Sequence, residues 1–106
     1  MLMVVKALAE MTGTFAVIFV GGGAILLAER YPNFFPSFGV AIAFGLIITL
    51  MILALGHLSG AHFNPAVTLA FAVTKRFPPT QIAVYWLSQC AGGLAAAVLL
   101  MALRKI

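Results

Sequence analysis

The chain has 106 residues, 64% of them hydrophobic and only 8% charged, which describes a single integral membrane unit and excludes a soluble fold, since so short a chain could not hide that much apolar surface. The net charge of +4 does not mark a nucleic-acid binder, because the six Lys and Arg residues sit scattered at segment ends with no run or stripe. Basic flanks beside apolar spans fit a lipid surface better.

Residues 1–28 carry Lys6 and Glu10 and no other charge. This stretch is long enough to span if Glu10 lies near one face of the bilayer, and helix one is predicted over about 4–28. A signal peptide is the rival reading, with Lys6 as its basic end and Gly21-Gly22-Gly23-Ala24 as small residues for cleavage. The apolar run continues through Ile25, Leu26 and Leu27, which favours a retained helix. Glu29 to Asn33 makes a polar break, and Pro36-Ser37 extends it as a turn. From Tyr31 to Thr74 there is no Lys, Arg, Asp or Glu, and helix two is predicted over about 38–57.

Gly56, Ser59 and Gly60 break that helix, and the stretch from Ser59 to Thr68 then begins another where none should start. Asn64 is a good N-cap, because its side-chain oxygen can accept from the free N–H groups of the next turn. Pro65 suits the first helical position, where its missing N–H is no loss. The half-helix is predicted over about 65–74, emerging at Lys75-Arg76. Its apolar part reaches roughly half way through a ~30 Å hydrocarbon core. A helix that starts at membrane depth is tolerated only where its irregular backbone is packed in protein or lines a watery cavity. Pro78-Pro79 stops it from running on, Thr80 is the expected cap of helix three, and that helix is predicted over about 81–103. The fold class is therefore all-α and membrane-embedded, with three spans and one re-entrant half-helix in a single unit, residues 1–106.

Several residues carry bland readings as well. Small residues four apart, Gly39 with Ala43, Ala41 with Gly45, Gly92 with Ala96 and Gly93 with Ala97, are read as helix contacts. Cys90 is the only cysteine, so it forms no intrachain disulfide or metal cluster, and it is read as a small buried residue. Gln89 is expected to hydrogen-bond between helices. Lys6, Lys75 and Arg76 fall on one side of the membrane and Arg30, Arg104 and Lys105 on the other, so basic residues give almost no orientation. No nucleophile, paired carboxylates, phosphate loop or metal cluster suggests an enzyme or a cofactor.

The run His62-Phe63-Asn64-Pro65-Ala66-Val67-Thr68, with Ala43-Phe44-Gly45-Leu46, Ala9-Glu10, Gly13-Thr14-Phe15, Gly56-His57, Gln89 and Gly93 around it, resembles the aquaporin (major intrinsic protein) family. The likeness covers essentially the whole chain but only the first half of the family's usual length, one of two inverted repeats. It implies a passive multi-pass channel of the cell membrane for water or a small neutral solute, such as glycerol or a metalloid acid. Asn64, Pro65 and Ala66 would form the channel motif, and Gly60, Ala61, His62, Phe63, Val67 and Phe44 would line the pore. The backbone of Gly60 to Phe63 is expected to run extended, offering carbonyls to water. Glu10 and His57 would brace the loop. Phe44 resembles the filter aromatic of water-selective members, whereas Ser59-Gly60-Ala61-His62 and Lys75-Arg76-Phe77 are closer to the nodulin-26-like branch, so the solute stays open.

The resemblance also implies a second repeat, supplied by a missing C-terminal half or by an antiparallel copy of the chain, and it admits a homo-oligomer. A rival from another class is a small proton-coupled multidrug exporter using Glu10, which would need four full spans where residues 66–73 are too short for one. A non-transporting membrane protein would explain the small-residue contacts but leave the half-helix without a purpose.

Overall fold

Long uncharged runs can satisfy their backbone groups in lipid only by internal helical hydrogen bonding. The computed structural model, which describes residues 2–106, is helical across its long apolar runs. Its elements are α1 (Met3–Arg30), α2 (Ser37–Ser59), α3 (Pro65–Val73), a 3₁₀ turn (Pro79–Gln81) and α4 (Ile82–Arg104). Among the described residues three helices, α1, α2 and α4 with its 3₁₀ turn, are long and apolar enough to cross a membrane. The longest dimension, 46 Å, matches a bilayer of roughly 40–45 Å including its headgroup regions. The chain is a multi-pass membrane protein.

Two ends differ from the sequence reading. α1 does not stop before Glu29 but runs through Arg30, and the Tyr31 N–H closes it by donating to Leu27 O at 2.8 Å. A cation in that last turn suits the negative end of the helix dipole. Thr80 is not a cap: it lies inside the 3₁₀ turn, and neither that turn nor α4 has a side-chain cap.

α1 is the central helix, packed on α2 along one flank and on α4 along the other. Its buried face is Ala9, Glu10, Gly13, Thr14, Val17, Gly21 and Ala24, a stripe stepping by three and four, and α4 answers with Tyr85, Gln89, Gly92 and Ala96. The inner faces are thus small or polar, while Leu87, Leu94 and Met101 look outward. Lipid tails are as apolar as leucine, so close packing and polar contacts hold such helices together. At Gly92 the approach is closest, for a Cβ there would collide with the backbone oxygen of Met11.

The small residues of α2 behave otherwise. A Cβ at Gly45 would meet nothing within 4 Å, so Ala41 with Gly45 makes no helix contact within this chain, contrary to the reading from spacing. Cys90 is exposed rather than buried, because it falls on the outward face of α4, which in a membrane protein is as apolar as any core.

Candidate functional site

The site begins where α2 ends. Gly60 takes φ +89°, a left-handed conformation that glycine adopts without penalty, and its N–H closes the helix on Gly56 O at 2.8 Å. The next residues are not extended as the sequence reading expects: Ala61 and Phe63 also have positive φ, both +55°. Left-handed backbone costs a non-glycine residue about 1–2 kcal/mol.

The cause is one carboxyl group. Glu10 is fully buried, and each of its oxygens accepts two hydrogen bonds. Oε2 takes Ser59 Oγ at 2.6 Å and the His62 N–H at 3.1 Å, while Oε1 takes the Phe63 N–H at 2.8 Å and Gln89 Nε2 at 2.8 Å. The Ala61 N–H donates to Ser59 Oγ at 3.1 Å, so three successive amides turn inward. Since N–H and C=O oppose each other across a planar trans peptide, the carbonyls of Ala61 and His62 aim away from Glu10. A hydrogen bond contributes about 0.5–1.5 kcal/mol net, and the four gathered on Glu10 together offset the cost of the left-handed residues.

Further polar contacts tie this knot to α3 and α4. Gln89 Nε2 also donates to Thr68 Oγ1 at 2.9 Å, and His62 Nδ1 lies 2.8 Å from that same hydroxyl. The Tyr85 hydroxyl donates to Ser59 O at 2.6 Å, and the Trp86 indole N–H to Pro65 O at 3.0 Å. The His62 ring is packed among Phe71, Phe77 and Tyr85, with centroids 4.8 to 5.0 Å away.

From this support α3 starts. Asn64 is in extended backbone at φ −161°, and its Oδ1 accepts the Ala66 N–H at 2.8 Å, with Pro65 at the first helical position. The amide N–H₂ of Asn64 makes no hydrogen bond among the described residues, so the cap keeps a spare donor. Nine residues give a helix only about 13 Å long. It ends in a Schellman motif, with Arg76 N donating to Phe71 O at 2.8 Å, Lys75 N to Ala72 O at 3.1 Å, and Lys75 itself left-handed at φ +61°.

The loop and the first turn of α3 border a crevice of about 390 Å³, where Gly60, Ala61, His62, Phe63, Asn64 and Val67 meet Val17 of α1 and Ile48 of α2. Of these, Phe63 is turned mostly inward, 8% exposed, with its ring in the notch left by Gly13. Phe44 is not among the crevice walls: its ring lies on Gly21, where a Cβ would collide with it. His57 is exposed and makes no hydrogen bond to the loop, because it points off the outer side of the last turn of α2. The contacts expected of it are made by Ser59, Gln89, Thr68 and Tyr85. Ser59, Thr68, Tyr85 and Trp86 carry no assigned role in the sequence reading. The signal for one of them is present nonetheless, since Tyr85 lies four residues before Gln89, a second polar group on the same face of an otherwise apolar span.

An exporter's glutamate must be open to substrate and proton, and Glu10 is neither exposed nor short of partners. Comparison with known proteins agrees. Nodulin-26 of Glycine max is 44% identical over 91 residues, 86% of this chain and 34% of that protein. Aquaporin NIP3-1 of Arabidopsis thaliana is 48% identical over 95 residues, 89% of this chain and 29% of its own length. Aquaporin Z of Rhodopseudomonas palustris is 49% identical over 96 residues, 90% of this chain and 40% of that protein. The chain spans about a third of the length of these relatives. The family model for the major intrinsic protein matches residues 1–106, from one end of the sequence to the other, and the chain belongs to that family.

Proposed function

We propose that this chain forms one half of a passive membrane channel for water or a small neutral solute. The observation that carries the reading is the short helix α3, whose N-terminus opens on the crevice with the Asn64 amide unpaired. A helix N-terminus carries partial positive charge, which favours the oxygen of a dipolar solute and opposes cations. The carbonyls of Ala61 and His62, turned from Glu10, supply acceptors beside that donor. A solute passing them exchanges hydrogen bonds instead of losing them.

One half-helix is one wall of such a passage. The second repeat comes from a C-terminal continuation of the chain or from an antiparallel second copy, and the even split of basic residues is compatible with insertion in both orientations. Further copies can associate as a homo-oligomer in the cell membrane.

The test is osmotic shrinkage of vesicles carrying the protein with and without its second repeat, read by light scattering. Water or glycerol flux is expected only with both repeats present, and Asn64→Ala is expected to lower it several-fold with helix content unchanged. Flux indifferent to Asn64→Ala would overturn the reading. Labelling of cysteines placed at the termini separates the two sources of the second repeat, because an antiparallel pair exposes each terminus on both sides.

A further inference from the structure

α1 has a second side that the loop does not use. At 3.6 residues per turn, Phe19, Gly23, Leu26 and Arg30 fall on the face opposite Gly21. Along that face lies a crevice of about 680 Å³, larger than the one at the loop, flanked by Leu100 and Leu103 of α4 and by Phe35 and Ala43 on the α2 side. Its walls are apolar for most of their length, and no residue of the loop borders it.

Charge enters only at one rim. Glu29, Arg30 and Arg104 are the three charged residues bordering the crevice, and all lie at helix ends on the same aqueous boundary. Arg30 Nη2 donates to Ile106 O at 3.2 Å, which draws the end of α1 toward the end of α4 and leaves four of the five guanidinium donors for other partners. The rim therefore has two cations against one carboxylate beside an apolar seat. A small hydrophilic solute would gain nothing from that seat, and a neutral hydrocarbon nothing from the rim.

We propose that this crevice seats an acyl chain of an anionic glycerophospholipid from the leaflet on the Arg30 side, with the lipid phosphate held between Arg30 and Arg104. Basic pockets between membrane helices hold anionic headgroups by the same combination, and guanidinium groups match a phosphate with two parallel hydrogen bonds. A lipid reaching this seat sideways from the leaflet would not have to cross water.

The experiment is native mass spectrometry of the protein extracted from bilayers of phosphatidylglycerol mixed with phosphatidylcholine. Phosphatidylglycerol is expected to be retained on the order of tenfold over phosphatidylcholine, the preference two surface cations supply. The paired variant Arg30→Gln with Arg104→Gln is expected to abolish the preference, and Lys75→Gln with Arg76→Gln to leave it. Gly23→Leu tests the seat separately: a Cβ at Gly23 meets only Leu100 Cδ2, at an ordinary 3.7 Å, so the longer side chain grows into the crevice. It is expected to lower retention of both lipids while the arginines remain and thermal unfolding is unchanged. Equal retention of the two lipids by the parent protein, or retention untouched by Gly23→Leu in a protein that unfolds normally, overturns the proposal.

Discussion

The two flanks of α1 are built differently. Toward α4 the contact is made by glycines and by polar side chains: Gly92 against the Met11 backbone, and Gln89 reaching Glu10. Toward α2 the notable fit is one ring, Phe44 on Gly21, and more than half of α2 is exposed, with Ser59 its one buried residue. The first flank specifies the register of two helices through atoms that cannot move aside, and the second leaves α2 a surface with room to spare. In a bilayer, where apolar surface exerts no pull of its own, the difference decides which helix pair is fixed by this chain alone.

Removing the centre of the tight flank should have the largest effect. Glu10→Ala strands four donors, two of them backbone amides of the loop, and is expected to cost about 3–5 kcal/mol in reversible unfolding in mixed micelles. Glu10→Gln should recover part of this, because one oxygen still accepts while its N–H₂ faces donors. Next comes Gly92→Ala, which forces α1 and α4 apart and should cost about 1–3 kcal/mol. Gly45→Ala, on the outward face of α2, is its control, expected within about 0.5 kcal/mol of the parent. If the two alanines prove equally harmless, the close approach of α1 and α4 at Gly92 is wrong. Trp86→Phe removes one hydrogen bond to Pro65 O and should cost least among the losses, about 0.6 kcal/mol, with a local rise in amide exchange at the start of α3.

Much of this was legible from residue types. Three spans and a short fourth helix follow from the charge gaps and from Asn64-Pro65, since capping and the fixed φ of proline are local effects. The path from Gly60 to Phe63 was not legible, because its shape is imposed by Glu10, which is remote in sequence and close in space. Nor was the exchange of His57 for Ser59: His57 is the expected brace near the end of α2, and only the rotation of the last turn puts Ser59 inward and His57 outward. The inner stripe of α1 could be read by looking for small and polar residues at helical spacing, the reverse of the search that serves soluble proteins.

The partners of Glu10 are far from it along the chain: Ser59 is 49 residues away, Phe63 53 and Gln89 79. A polypeptide delivered to the bilayer from its amino end must therefore carry an unfinished knot through most of its synthesis, with the carboxyl group waiting for its last donor until α4 arrives. Loop closures of that length come late in folding. The knot around Glu10 is thus among the final things the molecule makes, and damage far downstream, in α4, would first be felt as a loop that never sets.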